Sequence, residues 1–259
     1  MIRLGICTEI ENAEKMREAG YDYVELSMSS VAALSDAEFE TLKEKVLKAP
    51  LPVESMNSMM PGTYHILTKN GLGEGVREYL EQAFYRARLL GVKVIVFGAG
   101  GARRLPDDMT MEEGLSGLTA FLQLAGTIAE KNGLRIAIEP LRKEETNIIH
   151  YVHEAQALAA RVGRENVGAL ADLYHMMSGD DSCEDLKKGV IHCHIAERVN
   201  RTWPREGDGS EADYRAFFSA LLSSGYEGRV SIEGRGPEDF EEGAAAAYAV
   251  LDALRRGTD

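Results

Sequence analysis

Short apolar runs alternate with longer amphipathic stretches along the whole chain. The short runs are typical of buried strands, and the longer stretches are typical of helices packed against them. Eight such pairs follow one another without a long linker, which predicts an α/β fold built as a single (β/α)8 TIM barrel over residues 1–259. The predicted strands are residues 3–7, 22–26, 52–57, 93–97, 135–139, 167–172, 190–194 and 229–233.

The helices predicted between these strands end at glycines in several places, which is a common stop signal. A doubly wound sheet is the alternative architecture, but it would have fewer repeats at this length and a nucleotide-binding fingerprint. The predicted helices are residues 13–19, 36–48, 76–90, 111–132, 151–162, 184–188, 211–223 and 237–255.

One glycine-rich loop, at residues 98–104, is the nearest approach to a nucleotide-binding fingerprint. It lacks the third glycine, because Arg103 stands in that place. The loop is therefore predicted to be a tight turn at the mouth of the barrel. Arg103 and Arg104 are candidates to reach an anionic substrate from this turn.

Composition limits the classes of partner. The chain is 44% hydrophobic and carries 29 basic and 42 acidic residues, a formal net charge of −13. Such an excess of acid disfavours binding to nucleic acid. No apolar run is long enough to predict a membrane span or a secretory segment. The cysteines Cys7, Cys183 and Cys193 are odd in number and unpatterned, so reduced thiols in a cytoplasmic protein are expected.

Four side chains that can ligate a metal stand at the ends of predicted strands: Glu139, Asp172, His194 and Glu233. A charged group that ends a buried strand is costly to desolvate unless it is paired or bound to a metal. Because side chains alternate along a strand, all four should point inward at the C-terminal mouth of the barrel. The pattern predicts one metal cage, with a structural salt bridge as the alternative. Alternation also turns His192 inward, so it does not choose between His192 and His194.

Three carboxylates with one imidazole suit a hard or borderline divalent cation, with Mn²⁺ favoured and Mg²⁺, Co²⁺ or Zn²⁺ as alternatives. Glu139 and Glu233 would then flank a bound substrate from nearly opposite sides of the mouth. Two such carboxylates suit proton transfer next to a carbonyl, because one removes a proton while the other returns it. The metal would hold the enediolate that forms between the two steps.

The motifs around these residues resemble the xylose-isomerase-like barrel superfamily of sugar isomerases and epimerases, which includes ketose 3-epimerases and hydroxypyruvate isomerases. The resemblance covers nearly the whole chain and rests on four segments in the right order. They are Glu139-Pro140-Leu141 followed by Glu145-Thr146, Asp172-Leu173-Tyr174-His175, His192-Cys193-His194 followed by Glu197, and Ser231-Ile232-Glu233.

This resemblance assigns roles to the individual residues. It implies that Glu139 and Glu233 are both metal ligands and the catalytic acid/base pair. Asp172 and His194 complete the cage, while His192 lies one layer deeper as a hydrogen-bonded core residue. The resemblance also implies that the substrate is a small sugar-like molecule contacted by two further side chains. These side chains are Glu145 and His175.

One departure from the family pattern concerns the substrate contact after strand seven. Epimerases of this type carry an arginine six residues after the ligand histidine, but Asn200 has that spacing here. Arg201 follows directly, so we expect Arg201 to bind the substrate, with Arg198 as a less favoured substitute. Exposed helices on the outside of such barrels often pack against a second copy of the chain. The sequence is therefore compatible with a homo-oligomer.

Three rival functions use the same barrel. A dehydratase or lyase would expel a β-hydroxyl from the same enolate. A DNA-repair endonuclease would need further histidines at the ends of strands three and four, where Asn57 and Phe97 stand, and after His194. A non-catalytic sugar-binding protein would have no reason to keep a complete ligand set. A metal-dependent sugar isomerase or epimerase is therefore the favoured function.

Overall fold

The computed structural model describes residues 1–179, 181–183, 186 and 189–257. Within them, parallel strands close into a barrel in which each strand pairs with the next along the chain and the last pairs with the first. This confirms the predicted (β/α)8 barrel. The strands are β1 (Arg3–Cys7), β2 (Tyr23–Ser27), β3 (Val53–Asn57), β4 (Val94–Phe97), β5 (Arg135–Ile138), β6 (Val167–Asp172), β7 (Val190–Ile195) and β8 (Arg229–Ile232).

Helices connect the strands and cover the outside of the barrel. Those described are α1 (Ala13–Ala19), α2 (Met28–Ala33), α3 (Asp36–Lys48), α4 (Val76–Leu89), α5 (Met111–Lys131), α6 (Val152–Val162), α7 (Leu173–Ser178), α8 (Glu211–Ser223) and α9 (Phe240–Arg256). The helix predicted at 184–188 lies, apart from Leu186, outside the described residues.

Two short helices, α2 and α7, were not predicted. Each helix begins at the residue that follows the last residue of a strand, and it has too few residues to show an amphipathic period. The side chain of Ser27 accepts from the backbone N–H of Ser30 to start α2, and Asp172 caps α7 by accepting from the N–H of Tyr174. Polar side chains of this kind stabilise helix starts by about 1 kcal/mol.

The two catalytic candidates Glu139 and Glu233 lie one residue beyond β5 and β8, whereas the sequence places them within those strands. Their backbone N–H groups still donate to Phe97 O and Ile195 O, each at 3.1 Å. The sheet hydrogen bonding therefore continues through both residues. Their inward direction, which the alternation argument predicts, is preserved.

The barrel has separate inner and outer cores. Val94, Val96, Ala137 and Leu170 form a small apolar cluster, and alternation along their strands turns them toward the barrel axis. Branched residues on the opposite faces of β5 and β8 join the larger cluster between sheet and helices; they include Ile136, Ile138, Val230 and Ile232. Polar side chains are thereby left to line the upper part of the barrel interior.

Ion pairs close the opposite end of the barrel. The carboxylate of Glu54, on β3, lies 2.8 Å from Arg3 Nη2 and 2.6 Å from Arg229 Nε. Both arginines stand at the first residue of their strands, β1 and β8. This cluster is remote from the strand ends that carry the candidate site. Among the described helices, none combines the length and hydropathy that a membrane span requires.

Inside the barrel, Gly5 leaves room for the ring of Tyr23. A Cβ at Gly5 would lie 2.5 Å from two ring atoms of Tyr23, which is fully buried. We expect Gly5→Ala to lower the free energy of unfolding by about 1–3 kcal/mol, because the added methyl group overpacks the interior. Gly62→Ala is the matched control, since its Cβ would have no neighbour within 4 Å. Urea unfolding followed by circular dichroism measures both, and equal midpoints for the two variants would contradict the packing argument.

Candidate metal centre and active site

The four predicted ligands come together at the C-terminal mouth of the barrel. One ligand atom from each of Glu139, Asp172, His194 and Glu233 lies within 4.8 Å of the other three. Glu139, Asp172 and His194 are buried, and the Glu233 side chain is 20% exposed. The structure therefore brings together residues from four consecutive strand ends, β5 to β8, as a site that a metal could occupy.

His194 is oriented so that one ring nitrogen faces the carboxylates. Its Nδ1 lies 3.3 Å from Glu139 Oε1 and 3.4 Å from Glu233 Oε2. Its Nε2 lies 2.9 Å from Glu25 Oε1, on the other side of the ring. In the tautomer whose proton lies on Nε2 and is donated to Glu25, the lone pair of Nδ1 would face the other three predicted ligands; in the protonated ring, Nδ1–H donates to Glu139 Oε1. A second carboxylate that fixes the tautomer of a metal-binding histidine is a recurrent arrangement in metalloproteins.

Glu25 is a buried neighbour of the candidate site that the sequence argument missed. Its carboxylate accepts hydrogen bonds from both His192 and His194, and it is fully buried. Burial would raise the pKa of Glu25, but the charges and hydrogen bonds of the two histidines hold it well below its usual range. The serine hydroxyls of Ser55 and Ser231 also donate to it.

A sequence signal for Glu25 existed. It is a lone charge between Val24 and Leu26, in the middle of a strand that is otherwise buried. The argument that drew attention to charges at strand ends applies with more force to a charge inside a strand. Its partner His192 lies one layer below the proposed ligands, as the resemblance implied, and is a buried, hydrogen-bonded core residue.

Asp172 has one oxygen that the protein itself leaves without a hydrogen bond. Oδ1 accepts from the N–H of Tyr174 at 2.8 Å, whereas buried Oδ2 has no hydrogen-bond partner among the described residues. A buried carboxylate oxygen without a partner is costly. A cation coordinated by Oδ2 would remove that cost. The donor set of three carboxylates and one imidazole therefore fits a divalent metal ion.

The two acid/base candidates differ in proton affinity. Burial and the neighbouring charge of Glu233 raise the pKa of Glu139. Burial acts the same way on Glu233, but the charges of His194 and Arg201 outweigh it and lower the pKa of Glu233 to about 2. Glu139 therefore takes up a proton more readily, while Glu233 stays ionised at neutral pH. Glu233 also accepts a hydrogen bond from Asn57 Nδ2 at 2.8 Å, a contact that the sequence did not indicate.

Arg201, and not Arg198, reaches the candidate site. Its Nη2 lies 2.5 Å from Glu233 Oε2, and its side chain is 28% exposed. Arg198 is 57% exposed and pairs with Asp213 on the outside of the barrel. Arg201 has a φ of +53°, a left-handed conformation that is unusual for a residue with a side chain. This local turn accommodates the one-residue shift relative to the family pattern.

Glu197 stabilises that turn. Its buried carboxylate accepts from the N–H groups of Val199 and Asn200 at 2.6 and 2.7 Å. Its carbonyl oxygen accepts from the N–H of Arg201 at 3.1 Å. The glutamate of the third motif thus organises the loop after β7, a role that its spacing alone does not reveal.

The other two predicted substrate contacts, His175 and Glu145, lie beside the cage. His175 is buried, with Nε2 3.5 Å from Asp172 Oδ2, so it is not a surface cap. Glu145 accepts from Arg142 Nε at 2.8 Å. The guanidinium carbons of Arg142 and Arg201 lie 5.2 and 4.9 Å from the ring centroid of Tyr174. Sequence reasoning overlooked Arg142 and Tyr174, which stand inside the motifs that it used.

The expectation that Arg103 reaches a substrate was wrong. Its side chain is fully buried and stacks on Phe97. The guanidinium donates to Phe97 O at 3.2 Å and to Glu139 O at 2.8 Å. Arg103 therefore ties the ends of β4 and β5 together and fixes the backbone of Glu139.

A closed (β/α)8 barrel with three carboxylates and a histidine together at its C-terminal mouth offers a candidate metal site at the end where barrel enzymes place their chemistry. Comparison with protein families makes this more specific. The family model described as xylose isomerase-like TIM barrel matches residues 13–255, and the chain belongs to that family.

Individual relatives share its size and fold. Inosose isomerase from Bacillus licheniformis is 26% identical in an alignment of 257 residues that covers 91% of this chain and 86% of the relative. The 3-dehydro-D-guloside 4-epimerase of Escherichia coli is 24% identical in an alignment of 236 residues that covers 87% of each chain. The solved structure of an L-ribulose 3-epimerase superposes with a TM-score of 0.82 at 20% identity, covering 100% of this chain and 97% of that one. These relatives are sugar isomerases and epimerases, the class that the motifs predict.

The anchoring of His194 by Glu25 can be tested through metal affinity. We expect Glu25→Gln to weaken Mn²⁺ binding by about 10–100-fold, the usual effect of removing a partner of a metal-binding histidine. An amide cannot accept from both imidazoles with a full negative charge. Isothermal titration calorimetry measures the affinity. Glu54→Gln, at the closed end of the barrel, is the matched control. Wild-type affinity in folded Glu25→Gln would show that Glu25 does not orient the ligand.

Proposed function

We propose that the protein is a divalent-metal-dependent isomerase or epimerase of a small sugar or hydroxy-carbonyl compound. Proton transfer through an enediolate would carry the reaction. The observation that supports this most directly is the position of Glu139 and Glu233. Both carboxylates contact the same nitrogen of His194, from strand ends on different sides of the mouth.

Glu139, Asp172, His194 and Glu233 would hold the cation, with Mn²⁺ favoured and Mg²⁺, Co²⁺ or Zn²⁺ as alternatives. The ion would supply electrostatic stabilisation for the negative charge that develops on the substrate oxygens. Two observations support this assignment: Asp172 Oδ2 lacks a hydrogen bond, and His194 Nδ1 faces the carboxylates of Glu139 and Glu233.

The proton transfers fall to the two glutamates. One carboxylate removes the proton from the carbon next to the carbonyl, and the other delivers a proton to the resulting enediolate. Delivery to the opposite face of the same carbon inverts it, whereas delivery to the neighbouring carbon moves the carbonyl, with the proton of the original hydroxyl passing to the former carbonyl oxygen. Because the pKa of Glu139 is raised and that of Glu233 is lowered, Glu139 is the carboxylate that takes up a transferred proton more readily.

The surrounding polar side chains would orient the substrate. Arg201 can donate to a substrate oxygen, and its partly exposed position gives it access to the mouth. The Nε2 of His175 has no hydrogen-bond partner among the described residues and can bond a hydroxyl group. Glu145, paired with Arg142, would accept from a further hydroxyl.

The endonuclease alternative has less support. Asn57 ends β3, where that class requires a histidine, and donates to Glu233. Phe97 ends β4 and is fully buried against Phe121. Asn57 therefore belongs to the candidate site, and Phe97 belongs to the hydrophobic core. We propose that nucleic acid is not a partner.

The acid/base assignment predicts the behaviour of two variants. We expect Glu139→Gln and Glu233→Gln each to lower turnover by at least about 10²–10⁴-fold, because an amide cannot transfer the proton. Both should still bind Mn²⁺, because the amide oxygen can ligate. A panel of ketoses and hydroxy acids followed by NMR identifies the substrate and measures the rates. Glu54→Gln should keep the wild-type rate. Full activity in either site variant would exclude a proton-transfer role for that residue.

Reaction in D₂O separates the proposed class from a lyase on the same cage. We expect the product to keep the mass formula of the substrate except for deuterium at the reacting carbon, because the transferred proton exchanges with solvent. Mass spectrometry and NMR of the product detect this label. A product that has lost one water molecule would instead identify a dehydratase. Treatment with EDTA should stop either reaction, and added Mn²⁺ should restore it.

A further inference from the structure

Arg201 lies among the proposed metal ligands themselves. Its Nη2 is 2.5 Å from Glu233 Oε2 and 3.6 Å from Asp172 Oδ2. Its Nη1 is 3.8 Å from Glu145 Oε1, farther out in the mouth. The guanidinium therefore bridges two carboxylates of the cage and has a third carboxylate within reach.

The Arg201 guanidinium and a divalent cation would contact the same carboxylate oxygen atoms. Glu233 Oε2 is the oxygen that approaches His194 Nδ1, at 3.4 Å. Asp172 Oδ2 is the buried oxygen that lacks a hydrogen bond. An oxygen that coordinates a cation cannot also keep a short charged contact to arginine at full strength. Binding of one cation therefore opposes binding of the other.

The Arg201 guanidinium cannot escape its competition with the divalent cation by losing a proton. Burial alone would lower the pKa of Arg201, but the charges of Asp172 and Glu233 raise it above its ordinary value. The side chain stays charged and has to move. Its backbone is held by the turn that Glu197 organises, so movement is confined to the side chain, along the face of Tyr174 toward Glu145.

We propose that Arg201 is a built-in competitor of the divalent cation. It neutralises Glu233 and Asp172 with its guanidinium and so weakens the affinity of the cage for the metal. When the ion binds, the guanidinium turns away from these carboxylates toward Glu145 and the substrate. This inference rests on the metal cage of the proposed function.

The direction of one change in affinity tests the inference. We expect Arg201→Met to bind Mn²⁺ about tenfold more tightly than wild type, within the usual range of coupling between two sites of roughly 5–150-fold. Methionine keeps an unbranched side chain against Tyr174. It also has the same steric cost as arginine at a φ of +53°, so backbone strain is matched.

Arg142→Met is the matched control for charge. Arg142 shares the ring of Tyr174 and the carboxylate of Glu145, but its recorded side-chain contacts include none of the four proposed ligands. Removing this charge should change Mn²⁺ affinity by less than about threefold, because Arg142 is paired with Glu145, does not contact the proposed ligands and is partly screened by solvent. Arg201→Lys keeps the charge and should bind Mn²⁺ much as wild type does. Calorimetry measures all four proteins, after circular dichroism has shown that each is folded.

The outcomes separate this inference from the proposed function. Tighter binding by Arg201→Met alone supports the competitor. An equal gain in Mn²⁺ affinity in Arg142→Met would show that the effect comes from overall charge, and it would overturn the competitor role of Arg201. Unchanged or weaker binding by Arg201→Met, with wild type binding Mn²⁺ normally, would overturn the competitor and leave the cage standing. Absence of Mn²⁺ binding in all four proteins would overturn both.

Discussion

The hydrogen bonds that Glu25 accepts from His192 and His194 determine how the rest of the site is arranged. A carboxylate buried in the barrel is costly by itself, and here serine hydroxyls and imidazoles satisfy it. Because Glu25 holds Nε2 of His194, the other ring nitrogen is left for Glu139 and Glu233. The direction of one lone pair at the mouth thus depends on a residue in the layer below.

Charge balance at the mouth follows from this arrangement. Glu139, Asp172 and Glu233 carry more negative charge than one imidazole can offset, so the site attracts a cation. Arg201 provides one from the chain itself, held by the turn that Glu197 stabilises. The fold therefore places the proposed metal ligands and a guanidinium that contacts two of them in one site.

The sequence predicted the barrel, seven of its helices and the four cage residues, because strand ends and side-chain alternation are local properties. The lone charge of Glu25 inside a buried strand was a local signal, but its role was not visible, because its partners are 167 and 169 residues away and no local pattern joins them. The position of Arg201 depends on a left-handed backbone conformation that its neighbours impose. The burial of Arg103 was missed for a similar reason, since its acceptors are the carbonyl oxygens at the ends of β4 and β5. Local reasoning therefore found the four residues that meet at the mouth of the barrel and missed the residues that orient them.

The span of the Glu25 network has a consequence for how the protein reaches its native state. Its hydrogen bonds join β2 and β3, near the start of the chain, to β7 and β8, near its end. The pairing of β1 with β8 closes the barrel between the same two parts of the chain. Contacts of such high sequence separation form late, because the loop between them must be closed first. A partly folded barrel made of the last half alone would present the cage carboxylates without an oriented histidine. Glu25 therefore orients His194 only when the barrel closes. Formation of the site depends on this last step of folding.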